Sequence, residues 1–466
     1  MTSWIGPARY LAVANGVGAA CALTAGIYQA RILGPEQLGV MGIIAGITGS
    51  ALTFVDVRLN DTAARAFYAV DGLAPAGAAA HRAGVVWVAA LGTILVGAVA
   101  ALLAFLVGGV LVPVFTRAPV SRWWLPADAV TLALQALTGT LFALLRYSRE
   151  FYVIGHWRMA TQATQAAVTV IGLTLMPTLA GAYVAGLAGA SVVAALALAV
   201  SWRVWTRRAG VPLGRPDWGS AWAAYRRSRG MLFYGNLLGY AKLLQRSADV
   251  LLVAYVAGDR ETGLYKLARQ LVDGGIAVVQ DALYQVYFPD FLDLLTRRAA
   301  TAYRALARRL AVTCAALTAA AVAGEAVLLP TLVPLVFGAD FAGAEWPMAI
   351  MTLTFFFIAG CHPWIWALYV GAGRLGGYTA MAFAAVAVQY LAMLAGFRWI
   401  GPTAAVGMMG MLASYVWLIP ATYLLARRRW PRFLPWFSAG SAIARAASAG
   451  GRGDRWPGSA RRRRRA

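Results

Sequence analysis

Two neighbouring apolar stretches of the sequence carry charged side chains that could bind a phosphorylated ligand. The first places Lys242, Arg246 and Asp249 at i, i+4 and i+7, so all three share one helical face. The second repeats this periodicity in six polar residues: Lys266, Arg269, Gln270, Asp273, Gln280 and Tyr284. A charge at the centre of a bilayer costs about 2.5–3.5 kcal/mol on insertion scales. These faces should therefore point at each other or at water rather than at lipid.

Two interpretations of the charged faces remain open. In one, Arg246–Asp249 and Arg269–Asp273 are ion pairs that hold the two helices together. In the other, the cations line a path for an anionic substrate. Lys242 is the best single candidate, because it lies near mid-depth and an ammonium binds phosphate or pyrophosphate as a point charge. The predicted substrate cavity comprises Lys242, Arg246, Lys266, Arg269, Asp249 and Asp273.

A second polar cluster follows the second apolar stretch, and it supplies candidates for gating. The predicted gating or secondary residues are Asp56, Arg58, Arg65 and Arg31. The charges after the second stretch could also lie at the membrane interface without a role in transport. Asn15 and Gln29 on the first stretch are weaker candidates, because a buried amide in a membrane helix often only bonds to its neighbour.

The sequence lacks the motifs of the common catalytic and metal sites. There is no GxSxG, HExxH or P-loop with Lys, and the predicted loops are short. The cysteines and histidines are scattered rather than clustered: Cys21, Cys314, Cys361, His81, His156 and His362. We therefore expect no catalytic residues, no metal and no cofactor. A membrane-embedded glycan polymerase or ligase remains an alternative.

The elements that carry these residues are predicted to be transmembrane helices. Of the 466 residues, 61% are hydrophobic and only 13% are charged, which is unlike a soluble domain. Apolar segments of about 20 residues recur along the whole chain, and each is long enough to cross the hydrocarbon layer. The pattern predicts an all-α polytopic protein with about twelve spans. The least distinct boundary is at residues 176–178, between spans five and six.

The distribution of charge indicates the topology. Most of the 41 Lys and Arg residues fall in alternate loops, as expected for cytoplasmic loops, with both termini in the cytoplasm. A large part of the net charge of +23 lies in the tail from Arg427, which ends in five consecutive arginines at 461–465. We therefore expect no nucleic acid partner. The tail should be disordered and could contact anionic membrane lipids.

Repeated strings indicate two similar halves. Residues 34–39 and 258–263 both begin and end with Gly and contain a Glu, and residues 111–115 resemble 332–337. The sequence thus predicts two six-helix bundles related by a parallel pseudo-repeat, with the substrate path between them. The predicted units are a first bundle at 1–205, a basic cytoplasmic linker at 206–229, a second bundle at 230–427 and a basic tail at 428–466.

Four segments resemble motifs of the Wzx-type polysaccharide-biosynthesis flippases. These belong to the MOP superfamily, which also contains MATE exporters and the lipid II flippase. The segments are residues 30–39 (Ala-Arg-Ile-Leu-Gly-Pro-Glu-Gln-Leu-Gly), 249–268 with Gly-Leu-Tyr at 263–265, 287–289 (Tyr-Phe-Pro) and 336–341 (Val-Phe-Gly-Ala-Asp-Phe). One departure is Arg58, which stands where the family often has Gly, so a role for Asp56 does not carry over directly.

The resemblance implies both a fold and a function. It implies two bundles around a central, often cationic cavity, which work by alternating access in the bacterial inner membrane. The implied substrate is an undecaprenyl-pyrophosphate-linked oligosaccharide, and other polysaccharide-assembly proteins could be partners. A MATE-like small-molecule antiporter is the alternative within the superfamily. It should have an acidic cavity, whereas the membrane segments of this sequence hold a surplus of Lys and Arg.

Overall fold

The computed structural model is helical in every regular element of the part that it describes. It describes residues 5–56, 63, 66–68, 70, 74–121, 123–145, 151–207, 213–227, 229–371 and 375–434. Two of the predicted gating residues, Arg58 and Arg65, lie outside these ranges, and so does the arginine-rich tail from residue 435 onward.

The described helices follow one another with short connections. They are α1 (Ile5–Val55), α2 (Pro75–Phe115), α3 (Trp124–Leu145), α4 (Phe151–Leu175), α5 (Leu179–Arg207), α6 (Trp218–Arg227), α7 (Arg229–Leu243), α8 (Asp249–Thr296), α9 (Ala300–Phe337), α10 (Glu345–Thr352), α11 (His362–Gly371), α12 (Leu375–Trp399) and α13 (Ala404–Arg429). Two π-helical segments, Leu244–Ala248 and Phe356–Cys361, join α7 to α8 and lead into α11. The predicted boundary at 176–178 is confirmed, because α4 ends at Leu175 and α5 begins at Leu179.

The predicted fold of about twelve membrane-length segments is confirmed. Within the described residues, eight helical stretches are long and apolar enough to cross a membrane by length and composition. One of them, α1, bends at Gly34 and supplies two segments. The more polar α4 supplies another, and the α7–α8 stretch supplies two more on either side of Gly258. These remaining segments hold most of the predicted site residues, which is why they are less apolar than the others.

The two Gly-bounded links adopt the same backbone conformation. Gly34 has φ 71° and ψ 173°, and Gly258 has φ 83° and ψ −179°. Positive φ is readily adopted only by glycine, so each link needs a Gly at its first position. The second repeated string also ends its helices in the same way, since α2 stops at Phe115 and α9 stops at Phe337. The local equivalence expected from the repeats is therefore observed at both pairs of links.

The longest interface inside the protein joins α1 to α8. The largest buried apolar cluster is built from α8 to α13, and Ala30 and Leu38 of α1 pack into it. A separate cluster lies among α2 to α6, with Trp205 and Tyr225 among its fully buried side chains. The boundaries of the two bundles, as set out above, stay a prediction.

The basic linker contains a helix that the composition does not predict. The side chain of Asp217 begins α6 by accepting the Ser220 backbone N–H at 3.1 Å, an N-cap contact. The Ser220 hydroxyl also hydrogen-bonds the His81 ring of α2 at 2.9 Å. Buried Ala221 and Tyr225 fix one face of α6, while Trp222 is exposed on it. The linker thus packs against the first half of the chain.

Candidate functional site

Lys242 and Arg246 lie next to a π-helical turn. A π turn adds a residue, so backbone carbonyls there lose their usual partners, and such turns are frequent at functional sites. Here α12 supplies the missing donors. The Tyr390 hydroxyl donates to the Leu244 carbonyl at 2.8 Å, and the Gln389 amide donates to the Gln245 carbonyl at 3.1 Å. The turn that presents Arg246 is therefore fixed by side chains from another helix.

Both π-helical segments contribute to one cavity, which we call the cationic cavity. Its volume is about 200 Å³. The second π segment brings Ile358 to its wall, and His362 begins the helix that follows. The polar lining residues of the cationic cavity are Lys242, Gln245, Arg246, Gln280, His362, Tyr378 and Tyr415. The sequence analysis did not identify His362, Tyr378 or Tyr415 as site residues, because each stands alone in an apolar span.

The electrostatics of the cationic cavity favour an anion. Lys242 and Arg246 are the charged groups among its described lining residues, and both act on the nearby His362 ring. The Arg246 side chain is 44% exposed and hydrogen-bonds Tyr415. Ammonium and guanidinium groups are the side chains that proteins use to bind phosphate, the guanidinium often in bidentate fashion.

A buried ion network lies beside the cationic cavity. Asp249 is fully buried and accepts from the Arg269 guanidinium at 2.9 Å and from the Tyr265 hydroxyl at 2.5 Å. Arg269 also lies 3.5 Å from an oxygen of Asp273, its neighbour one turn along α8. The outer oxygen of Asp273 is 3.8 Å from Arg246, which links the network to the cavity.

The network decides between the proposed pairings at two points. Of the two expected ion pairs, Arg269–Asp273 is present. The expected partner of Asp249 was Arg246, whereas the structure gives it Arg269. The reason is the π turn, which changes the register of the faces before and after it. Arg269 is only 12% exposed and is held by two carboxylates, whereas Arg246 keeps contact with the cavity.

Lys266 points toward α1 and α3 rather than toward the cationic cavity. Its charge interacts with Asp128 of α3, whose carboxylate also accepts the Thr48 hydroxyl. The alkyl stem passes Gly42, where a Cβ would lie 3.2 Å from the lysine Cδ. The sequence analysis missed Asp128, although it is the one acidic residue in the sequence of α3 and so carried a signal.

A second, larger cavity lies chiefly among α1, α3 and α4, and we call it the amide cavity. Its volume is about 550 Å³. Its polar lining residues are Asn15, Gln135, Thr138, Arg158, Thr161, Gln162 and Gln165. Gly274 of α8 contributes to the wall from the other half of the chain. The weak candidate Asn15 belongs here, where it accepts the Arg158 guanidinium at 2.6 Å, whereas Gln29 instead contacts the Met41 sulfur.

The remaining candidates lie away from both cavities. Arg31 donates to the backbone carbonyls of Leu335 and Val336, with 2.6 Å to the latter, and so ties α1 to the end of α9. Asp56 directly follows α1 and is half-buried. Among the described residues, no group of three His, Cys, Asp or Glu side chains could hold a metal ion.

Comparisons with known proteins agree with this architecture. The model of a family described as polysaccharide biosynthesis protein matches residues 29–345. An inward-facing multidrug resistance MATE family transporter of the MOP superfamily has a similar structure, with TM-score 0.66, 13% identity, and coverage of 90% of this chain and 98% of that one. The eukaryotic MATE transporter AtDTX14 gives TM-score 0.62 at 13% identity and covers 92% and 98%.

A third similar structure is a MOP superfamily transporter from Pyrococcus furiosus, with TM-score 0.56, 12% identity, and coverage of 91% and 95%. That protein is described as having a binding pocket of reversed polarity. No protein of curated function matches the sequence. Structural similarity at such low identity shows the fold, and the expected MOP-type architecture is thereby confirmed. Since the family model spans most of the chain, this transporter belongs to the polysaccharide biosynthesis protein family.

Proposed function

We propose that this MOP-superfamily transporter is a flippase for an undecaprenyl-pyrophosphate-linked oligosaccharide. It would move this lipid from the cytoplasmic to the outer leaflet of the bacterial inner membrane by alternating access. The observation that carries the proposal is the cationic cavity, where Lys242 and Arg246 face a polar space whose described lining contains no carboxylate. Such a space suits a pyrophosphate and would repel a cationic drug.

The six predicted cavity residues receive different roles in this proposal. Lys242 and Arg246 bind the pyrophosphate, because both line the cationic cavity. Arg269 serves mainly to neutralise Asp249 and so holds the two segments of α8 together. Asp273 positions Arg246, and Lys266 joins the two halves through Asp128. This division keeps the anion-binding interpretation for two residues and the ion-pair interpretation for the rest.

The topology completes the proposal. Both termini would lie in the cytoplasm, which places the basic loops and the arginine-rich tail beside anionic lipid headgroups. The two bundles would alternate about the α1–α8 interface, which joins them along its length. Substrate would then enter from the cytoplasmic leaflet, where lipid-linked repeat units are assembled.

A MATE-like small-molecule antiporter is the second candidate. It is favoured by the structural neighbours, one of which is described as a MATE multidrug transporter in complex with R6G, with TM-score 0.59 at 14% identity. This function would require an acidic site for a cation and coupling to protons or sodium. Glu325 on α9, which accepts the Thr352 hydroxyl at 2.8 Å, is the membrane carboxylate that could serve it.

The decisive experiment compares ligand binding by the full-length protein in lipid nanodiscs. The ligands are undecaprenyl pyrophosphate and the cationic dye rhodamine 6G, and the variants are Lys242→Met and Lys242→Arg. A charge-assisted hydrogen bond contributes about 1.5–3 kcal/mol, so Lys242→Met should weaken undecaprenyl pyrophosphate binding roughly tenfold or more. Lys242→Arg should retain most of the affinity. Arg297→Met is the matched control, because Arg297 is a 72% exposed cation outside both cavities.

Cell assays separate transport from glycan synthesis. A flippase defect leaves lipid-linked repeat units in the cytoplasmic leaflet, whereas a polymerase or ligase defect leaves them in the outer leaflet. The leaflet in which units accumulate in the Lys242→Met strain therefore identifies the step. Wild-type protein that binds rhodamine 6G but not undecaprenyl pyrophosphate would refute the flippase proposal and favour the antiporter.

A further inference from the structure

The amide cavity has a different chemistry from the cationic cavity. Four of its lining side chains are carboxamides, two are threonine hydroxyls, and the one charged group among the described lining residues is Arg158. The guanidinium of Arg158 donates to Asn15 at 2.6 Å, so part of its hydrogen-bonding capacity is already used. A cavity with many amides and no described carboxylate suits a neutral ligand that both donates and accepts hydrogen bonds.

Three of the amides lack partners within the described part of the protein. The side chains of Gln135, Gln162 and Gln165 make no hydrogen bond to any described residue. A polar group away from bulk water costs free energy unless it is hydrogen-bonded, and in a membrane helix no lipid tail can provide the bond. These amides face the cavity, so their partners must come from water or from a ligand that fills it.

The size and position of the amide cavity fit part of a larger cargo. Its volume of about 550 Å³ lies in the range of about 300–1,000 Å³ that is usual for ligand pockets. The wall includes Gly274 of α8, which directly follows Asp273, the residue that pairs with Arg246 of the cationic cavity. The two cavities therefore meet α8 at neighbouring positions along the helix.

We propose that the amide cavity binds the sugar portion of the transported lipid through the hydroxyl groups of neutral hexose units. Each hydroxyl both donates and accepts, as does each carboxamide, so one amide can bond two neighbouring hydroxyls. This inference rests on the proposed function, because it assigns a site to the glycan of the same cargo. It divides recognition between the pyrophosphate at Lys242 and Arg246 and the sugar at the glutamines of α3 and α4.

The experiment measures how much a sugar adds to binding. The probes are undecaprenyl pyrophosphate alone and the same lipid carrying glucose, galactose or N-acetylglucosamine, each titrated against the full-length protein in nanodiscs. For the wild type, at least one glycosylated probe should bind roughly tenfold more tightly than the bare lipid. The double variant Gln162→Leu/Gln165→Leu should lose this difference and bind the bare lipid as the wild type does.

The controls distinguish the amide cavity from the rest of the molecule. Gln29→Leu makes the same chemical change on α1 outside both cavities, and it should keep the full difference. Gln135→Leu is a second test on another helix, and its side chain is exposed, so folding should not depend on it. It should reduce the difference without affecting the bare lipid. Normal binding of the bare lipid also shows that each variant is folded.

The possible failures are distinguishable. If the wild type binds the bare lipid but no glycosylated probe more tightly, the inference is wrong and the flippase proposal survives. The same conclusion follows if the double variant and Gln135→Leu both keep the difference. If the wild type binds none of the four lipids, the flippase proposal and the inference fall together.

Discussion

Gly39 of α1 and Gly263 of α8 form a reciprocal contact between the two repeated links. A Cβ on Gly39 would overlap the backbone carbonyl of Asp259, and a Cβ on Gly263 would overlap that of Pro35. Asp259 and Pro35 are equivalent positions, since each directly follows the positive-φ glycine of its link. Two equivalent backbones thus touch at the place where both repeats lack a side chain.

This contact predicts that Gly39→Val will separate the halves at this end of the protein. Backbone atoms cannot yield as a flexible side chain would, so the helices must move apart. Spin labels at Arg117 and Ala342, in loops on opposite halves near this end, should show a distance distribution shifted to larger values. Gly109→Val is the matched control, because Gly109 lies in α2 with open space around it. An unchanged distribution in folded Gly39→Val protein would contradict the prediction.

The reciprocal contact also shows how far the sequence leads. The spacing of the two Gly-bounded links predicts their equivalence, because a shared backbone conformation needs Gly at shared positions. It does not predict that the links touch each other, since this depends on how two halves of the chain pack. Arg31 illustrates the same limit, because its partners are backbone carbonyls about 300 residues away, which no side-chain pattern reveals.

The Asp249–Arg269 pair should contribute more to stability than any exposed pair of the protein. Asp249 is fully buried, so Arg269→Met would leave its carboxylate without its main counter-charge. Breaking a buried pair in this way costs about 3–5 kcal/mol. The thermal unfolding midpoint in detergent, followed by tryptophan fluorescence, should fall strongly. The double variant Asp249→Asn/Arg269→Met should recover part of the loss, because the lone charge is then removed.

The control for this prediction is the exposed pair Arg297–Asp293, with an N–O distance of 2.9 Å at the end of α8. Arg297→Met should change the free energy of unfolding by only about 0–1 kcal/mol. Equal effects of Arg269→Met and Arg297→Met on the midpoint would show that the buried network adds no special stability.

Lys266 and Asp128 should behave as one coupled pair across the two halves. Lys266→Met is expected to destabilise the protein, because the carboxylate near Thr48 would lose its opposing charge. Adding Asp128→Asn should restore the thermal unfolding midpoint. If Lys266 binds no substrate, the double variant should also bind undecaprenyl pyrophosphate as the wild type does. Restored stability with lost binding would instead return Lys266 to the anion site.

The candidate site could be predicted from sequence only in part. Helical periodicity correctly places Lys242 and Arg246 on adjacent turns beside a polar space, because that spacing holds up to the π turn. Beyond the turn the register changes, and with it the partner of Asp249. A π turn has no reliable sequence signal, and the residues that stabilise it come from α12, more than 140 positions away in the chain. Tertiary donors of this kind are invisible to local pattern analysis.

The π turn should therefore be sensitive to substitutions in α12. Tyr390→Phe removes the donor to the Leu244 carbonyl and keeps the ring, so the turn loses one hydrogen bond worth about 1 kcal/mol. We expect a modest fall in the unfolding midpoint and a several-fold loss of affinity for undecaprenyl pyrophosphate, because Arg246 is no longer held in place. Tyr255→Phe is the matched control, since this tyrosine is 66% exposed. If Tyr390→Phe lowers stability while leaving the affinity unchanged, the π turn supports the fold but does not position Arg246.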